Sequence, residues 1–206
     1  NFIIEPEGKN TAPAIGLIST LIYHQNSEAI IATIASDHTI ENIENFQKAI
    51  KNGLNFIQEN HDYIVTIGIE PTEPNTGYGY IKKARKLPEK NIFEVEKFVE
   101  KPELETAKRY LTSGDYLWNA SYFIFNAQSM LNSFYRLAPE ISTRLKKIAQ
   151  AIDTDKFSEI LETEYSQFLK EPIDTVIAEK HGQMVVIPGD FGWSDVGSWA
   201  SLYELL

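Results

Sequence analysis

The 206 residues, of which 43% are hydrophobic and 23% charged, are enough to build one large folded domain with its own core. A net charge of -10 argues against a nucleic-acid partner, because phosphate-backbone binding depends on clustered Lys and Arg. The absence of cysteine excludes disulfides, thiolate zinc sites and a cysteine nucleophile. With no signal peptide and no long apolar run, we expect a cytoplasmic protein with no membrane partner.

Apolar runs rich in β-branched residues alternate with helical patterns, which predicts an α/β fold in one domain over residues 1–206. The pattern predicts helices over 12–25, 41–59 and 103–112, and strands over 29–35, 63–69, 78–84, 92–100, 117–125 and 183–187. Residues 127–169 are helical in a mixed pattern and carry no recognisable chemical motif. The segment 173–180 is predicted to be helical, 188–198 to be a turn, and the last residues to begin an apolar helix.

Two aspartates follow predicted strands. Asp37 comes directly after the strand 29–35, and Asp195 follows the strand 183–187 through a turn rich in Pro and Gly. Ligands of open α/β sheets gather at the carboxyl ends of strands, and two carboxylates there suit Mg²⁺. The alternative for Asp37 is a cap for the next helix, which taken alone is the commoner role.

A second group of candidates is polar or small. Glu100 and Lys101 end a strand before Pro102, where Lys101 suits a phosphate and Glu100 suits sugar hydroxyls. The alternative is an exposed ion pair at the strand end, which is the more frequent outcome for a single Glu-Lys pair. Gly77 and Gly79 in NTGYGY permit close approach of a ligand or form a tight turn.

Aromatic and imidazole side chains are expected to be structural. The rings of WNASYFIF are interpreted as core, with Asn119 among them as a donor and acceptor that satisfies either a ligand or the backbone. Trp193 and Trp199 are expected to pack around Asp195. The four histidines lack metal-ligand spacing and are interpreted as structural or exposed.

Six segments, taken together and in order, resemble the motifs of one family. They are EPEGKNTAPAI, SDHTI, GIEPTEPNTGYGYI, FVEKP, YLWNASYFIF and GWSDVGSW. In sequence and spacing they are similar to mannose-1-phosphate guanylyltransferases, including the nucleotidyltransferase half of the bifunctional enzymes with phosphomannose isomerase. The resemblance covers nearly the whole chain.

The resemblance implies a Rossmann-like nucleotide-diphospho-sugar transferase fold with a mixed, mainly parallel sheet. It implies Mg²⁺-assisted formation of GDP-mannose and pyrophosphate from GTP and mannose 1-phosphate. It implies these roles: Asp37 and Asp195 hold the metal and are catalytic together with Lys101; Glu5, Asn10 and Thr11 contact the base and ribose; Gly77, Glu100 and Asn119 hold the sugar and Lys101 its phosphate.

Two departures from the family pattern carry expectations. The family's Gly-rich loop, of the form G-G-x-G-x-R-L-x-P, does not occur in these residues, so we expect a domain that is incomplete at its N-terminus and lacks the first strand. We also expect the domain to be incomplete at its C-terminus. Because that loop grips the triphosphate, these 206 residues alone are expected to have little or no turnover. Ser121 stands where the family has Gly, which makes close approach of the sugar less certain.

Two other functions stay open at this point. One is a non-catalytic regulatory module that binds a nucleotide sugar, and the other is a pyrophosphorylase for another nucleotide or hexose 1-phosphate. Base choice depends on a few hydrogen bonds, so small changes switch it. The sequence also leaves open whether the protein forms a homo-oligomer.

Overall fold

The computed structural model describes residues 2–88 and 91–197, together with Trp199 and Tyr203. It divides into two compact units, the first formed by Asn1–Ile31 with Phe125–Gly182 and the second by Ala32–Ile124 with Gln183–Leu206. The apolar helix expected at the end of the chain lies outside the described residues. The prediction of one domain over residues 1–206 stays a prediction.

The secondary structure alternates as predicted. The helices are α1 (Thr11–Gln25), α2 (Ile43–Glu59), α3 (Leu104–Ser113), α4 (Ala127–Leu137), α5 (Pro139–Ala151), α6 (Phe157–Ser166) and α7 (Ile173–Val176), followed by a 3-10 turn (Ala178–Lys180). The strands are β1 (Ile30–Thr33), β2 (Thr39–Ile40), β3 (Ile64–Ile69), β4 (Tyr80–Lys86), β5 (Phe93–Val99), β6 (Tyr116–Asn126), β7 (Met184–Gly189) and β8 (Trp193–Ser194). None of the helices in the described part of the chain is long and apolar enough to cross a bilayer.

The first unit is a group of helices. Helix α1 packs against α4, α5 and α7, and α5 packs against α6. Its core consists of apolar side chains from these helices, including Leu17, Phe134, Leu145 and Ile148. The undecided region 127–169 is therefore three separate helices, and Pro139 starts the second of them, where its missing N–H costs nothing.

The second unit is built on a sheet of six strands in the order β1-β6-β3-β7-β5-β4, of which the first half of β1 and the last two residues of β6 belong to the first unit. Strands β3 and β7 are parallel, whereas β4 pairs antiparallel with β5 and β6, and β5 pairs antiparallel with β7. The sheet is mixed, as predicted. All six residues of β3 are buried, which explains its continuous apolar sequence.

A second, two-stranded sheet joins β2 to β8 in the same unit. Thr39 and Ile40 were assigned to no element and Trp193–Ser194 to a turn, so the pairing was not predicted. Helix α2 begins at Ile43, two residues later than predicted, because the Glu41 N–H bonds to the carbonyls of Phe191 and Gly192 instead. Strands of two residues leave no periodic signal that a sequence pattern could reveal.

Candidate functional site

The candidate site in the second unit begins where β3 and β7 end. These neighbours run parallel in register, from Ile64 opposite Met184 to Ile69 opposite Gly189. Their following loops therefore leave the same edge of the sheet, one carrying Gly77 and the other Asp195. This edge is where open α/β sheets bind ligands.

The two-stranded sheet brings the predicted aspartates to one end of the same ladder. Thr39 pairs with Ser194 and Ile40 with Trp193 in antiparallel register. Asp37 precedes β2 and Asp195 follows β8. Because the two strands are antiparallel, both aspartates lie at the same end of the ladder. We call Asp37 and Asp195 the carboxylate pair. Asp37 is not a helix cap, because Asn42 caps α2 by accepting from the Asn45 N–H at 3.0 Å.

Asp195 is half-buried and held by two donors. Its Oδ1 accepts a hydrogen bond from the Tyr78 hydroxyl at 2.9 Å and another from the Gly197 N–H at 3.0 Å. Asp37, by contrast, is exposed. One member of the carboxylate pair is thus fixed in orientation while the other faces solvent.

His38 links the segment of Asp37 to the segment of Asp195. The Trp193 Nε1–H donates to His38 Nδ1 at 3.1 Å, and the Tyr122 hydroxyl lies 2.8 Å from the same nitrogen. The contact with Trp193 therefore joins the segment of Asp37 to the segment of Asp195 through the imidazole. Burial raises the pKa of the Tyr122 phenol, a hydrogen bond from Trp193 opposes the rise, and the nearby charge of Asp37 adds to it.

Three strands place a second group of predicted residues together. Tyr80 of β4 pairs with Val99 of β5 and with Trp118 of β6, so the residues one step further, Gly79, Glu100 and Asn119, meet at one strand end. We call these three the strand-end cluster. The Asn119 N–H donates to the Gly79 carbonyl at 2.8 Å, and a Cβ on Gly79 would lie 2.7 Å from Glu100 Oε2. A side chain at position 79 would therefore displace the Glu100 carboxylate from this position.

Glu100 and Lys101 form an ion pair at 3.4 Å, with side-chain exposures of 57% and 63%. An exposed pair of this kind contributes little stability, roughly 0–1 kcal/mol, so it exchanges readily for a charged ligand. The arrangement therefore fits the simple exposed ion pair considered from the sequence. It also leaves both charged groups accessible to a ligand. Gly77, nearby in the chain, donates its N–H to Asn75 Oδ1 at 2.7 Å.

Ser121 occupies the position where the family pattern has glycine. Its φ is 53°, in the left-handed region that favours glycine. Its N–H donates to Asn119 Oδ1 at 3.0 Å. Serine therefore adopts a left-handed backbone conformation within β6, and its N–H holds the Asn119 side-chain oxygen.

The three predicted nucleotide contacts lie in the first unit. Glu5 accepts a hydrogen bond from the buried Tyr165 hydroxyl, and Asn10 Oδ1 caps α1 by accepting from the Thr11 N–H at 2.7 Å. Thr11 Oγ1 accepts from the Ile173 N–H at 2.8 Å. Each of these side chains thus has a structural partner within its own unit.

The roles of two tyrosines were not predicted from the sequence, and the packing of one tryptophan was predicted wrongly. Tyr78 and Tyr165 each donate to a predicted site carboxylate, but a tyrosine in an aromatic chain carries no signal that distinguishes such a role. Trp193 packs beside Asp195 as predicted, with its ring 5.3 Å from that of Tyr78. The prediction was wrong for Trp199, which is 86% exposed.

The donor set of the carboxylate pair fits Mg²⁺. Both ligands are hard carboxylate oxygens, and Mg²⁺ commonly binds one or two carboxylates while keeping waters and substrate phosphates. Within the described residues no group of three or more His, Asp or Glu side chains is placed to hold a metal. A metal site that is completed by substrate oxygens does not need three protein ligands.

Comparison with known proteins identifies the family. The model of the nucleotidyl transferase family matches residues 1–206. The chain belongs to the nucleotidyl transferase family. Within it, the chain is 39% identical over its whole length to a mannose-1-phosphate guanylyltransferase of Salmonella typhimurium, and 38% identical to one of Escherichia coli. It spans 44% of the length of each of these relatives.

Solved structures of nucleotidyl transferases and related enzymes agree on the fold. A structure titled mannose-1-phosphate geranyltransferase from Thermus thermophilus matches 98% of this chain and 57% of its own, with 30% identity and a TM-score of 0.88. A UDP-glucose pyrophosphorylase matches with 16% identity and a TM-score of 0.52, covering all of this chain and 66% of its own. The predicted nucleotide-diphospho-sugar transferase fold is confirmed.

Proposed function

We propose that the protein is a mannose-1-phosphate guanylyltransferase, which forms GDP-mannose and pyrophosphate from GTP and mannose 1-phosphate. The observation that carries the proposal is the meeting of the carboxylate pair at one end of the β2–β8 ladder, within a chain of the nucleotidyl transferase family. The identity of 38–39% to guanylyltransferases of this name over the whole chain supports the choice of substrates.

In the proposed reaction, a phosphate oxygen of mannose 1-phosphate attacks the α-phosphorus of GTP in line. One P–O bond forms, the P–O bond to the β-phosphate breaks, and pyrophosphate leaves with the electron pair. The phosphate nucleophile is already anionic, so no general base is required. The protein's task is to position two polyanions and to stabilise the charge on the reacting oxygens.

The residues of the second unit divide this task. Glu100 accepts hydrogen bonds from sugar hydroxyls, while the Asn119 amide and the backbone at Gly77 complete the sugar contacts. Lys101, exposed beside Glu100, neutralises the sugar phosphate. Asp37 and Asp195 are the proposed ligands of Mg²⁺, which when bound supplies positive charge to the phosphate oxygens.

Glu5, Asn10 and Thr11 remain proposed contacts of the base and ribose. An ionised Glu5 carboxylate only accepts hydrogen bonds, and guanine offers N–H donors on its Watson–Crick edge. Such pairing favours GTP over nucleotides whose bases lack adjacent donors. The base preference therefore tests this part of the proposal.

The test is pyrophosphate release by the purified full-length protein in Mg²⁺, with each nucleoside triphosphate paired with each hexose 1-phosphate. We expect kcat/KM for GTP with mannose 1-phosphate to exceed that for UTP or dTTP by about a hundredfold or more, since unpaired polar groups penalise the wrong base. A preference for UTP or dTTP would overturn the guanylyl assignment. Tight binding of GDP-mannose without turnover would favour the regulatory module instead.

A further inference from the structure

Tyr78 contacts both halves of the candidate site in the second unit. It precedes Gly79 of the strand-end cluster, and its hydroxyl donates to Asp195 Oδ1 of the carboxylate pair at 2.9 Å. Gly77 and Gly79 on either side of it were candidates for ligand contact, but no role was predicted for Tyr78. The phenol therefore has a partner that the proposed function does not yet explain.

The Tyr78 ring is held from two sides. Its centroid lies 5.1 Å from that of Trp118 at an interplanar angle of 68°, and 5.3 Å from that of Trp193 at 62°. Edge-to-face contacts of this kind stabilise a ring beyond the burial of its area. Trp118 is buried in β6 and Trp193 lies in β8, so the position of the phenol is set by two separate strands.

Both described donors to Asp195 go to one oxygen. The Gly197 N–H reaches Oδ1 at 3.0 Å, and the Tyr78 hydroxyl reaches it at 2.9 Å. Two donors on the same atom fix the rotation of the carboxylate and leave Oδ2 without a described donor. Hydrogen bonds from surrounding groups orient metal-binding carboxylates in this way.

We propose that Tyr78 is a positioning residue for the divalent cation, holding Asp195 so that it binds the metal through Oδ2 alone. The inference rests on the proposed function, because that function supplies the reason for a cation at the carboxylate pair. Tyr78 itself does not touch the metal. Its loss should weaken metal binding without removing a ligand.

The experiment measures Mn²⁺ affinity, with Mn²⁺ as a paramagnetic probe of the Mg²⁺ site. Purified full-length protein is titrated with Mn²⁺ in the presence of saturating GDP-mannose, which supplies the phosphate oxygens, and binding is followed by water-proton relaxation. Tyr78→Phe keeps the ring contacts and removes only the hydroxyl. We expect it to raise the Kd for Mn²⁺ about tenfold or more, since loss of a supporting hydrogen bond commonly has this effect.

Tyr165→Phe is the matched control. It also removes a phenol that donates to a carboxylate, that of Glu5, but in the first unit. Its Kd for Mn²⁺ should equal that of the wild type. An equal rise in both variants would mean that the loss is a general effect of removing a buried phenol, and would overturn the role of Tyr78.

Asp195→Asn distinguishes the positioning role of Tyr78 from the existence of the metal site itself. If it loses Mn²⁺ binding while Tyr78→Phe binds as tightly as the wild type, the positioning role is wrong and the metal site stands. If the wild type binds no Mn²⁺, or Asp195→Asn binds it unchanged, the metal site itself is wrong. The Mg²⁺ concentration for half-maximal turnover should rise in Tyr78→Phe in parallel with the Kd for Mn²⁺.

Discussion

His38 and Trp193 connect the two segments that carry the carboxylate pair. Their rings meet edge to face at a centroid distance of 5.2 Å, and a hydrogen bond of 3.1 Å joins indole to imidazole. His38 also contacts Tyr122, whose side chain is buried. At the scale of single residues, these contacts hold the two segments together, although the Asp37 side chain is exposed.

Replacing Trp193 by Phe tests this connection. The variant keeps an aromatic ring against Tyr78 and His38 but removes the donor to His38 Nδ1. We expect the free energy of unfolding to fall by about 1 kcal/mol, the typical net contribution of one hydrogen bond. Urea denaturation followed by circular dichroism measures the change.

The matched control is Trp199→Phe, because Trp199 is 86% exposed and its indole should contribute little. Its unfolding curve should coincide with that of the wild type. Equal destabilisation in the two variants would show that the loss at Trp193 does not come from the bond to His38.

At the scale of elements, long periodic segments were predictable and short ones were not. Helix α2 was expected because Phe46, Ile50, Leu54 and Ile57 recur at spacings of three and four; of these, Ile57 is buried and the other three are half-buried. Strands β2 and β8 have two residues each, too few for a pattern. The pairing that joins the carboxylate pair therefore could not be derived from local sequence.

Helix α6 shows a different limit of sequence reasoning. Its Glu164 accepts hydrogen bonds from Lys147 at 2.8 Å and Arg144 at 3.0 Å, both in α5. Only the packed helices bring these charges together, since they lie 17 and 20 residues apart in the chain. The hydrogen bond from Lys147 holds the pKa of Glu164 below its usual range, and Arg144 adds to the effect.

A lowered carboxyl pKa gives a pH-dependent stability of known sign. The ionised form is favoured in the folded state, so this contribution is complete above the ordinary carboxyl pKa and is lost as the pH falls through the folded-state value. Glu164→Gln should therefore lower the free energy of unfolding at pH 7 by about 1 to 3 kcal/mol. The difference from the wild type should shrink in acid.

Urea denaturation from neutral to acidic pH measures both effects. Glu105→Gln is the control, because Glu105 pairs with Lys108 but its side chain is 81% exposed. The unfolding curve of that variant should coincide with that of the wild type, as exposed pairs contribute little. A constant difference at all pH values for Glu164→Gln would contradict the ion-pair explanation.

At the scale of the whole molecule, the candidate site residues were easier to predict than the residues that hold them in position. The order of six segments indicated the family, and the structure places Asp37 beside the ladder of Asp195, and Glu100 beside Gly79 and Asn119. The supporting tyrosines were not predictable, because their roles depend on strand register and helix packing. The family and fold are established, whereas the substrates are proposals.

The measurement that tests the central claim most directly is pyrophosphate release by the full-length protein from GTP and mannose 1-phosphate, with Asp37→Asn and Asp195→Asn compared with the wild type. Loss of a metal ligand removes several kcal/mol of transition-state stabilisation, and each 1.36 kcal/mol is about tenfold in rate. We predict that each variant loses about a hundredfold or more in kcat/KM. Asp153→Asn, at a residue whose side chain is 79% exposed in the first unit, should keep wild-type turnover. Wild-type turnover in Asp37→Asn or Asp195→Asn would contradict the account.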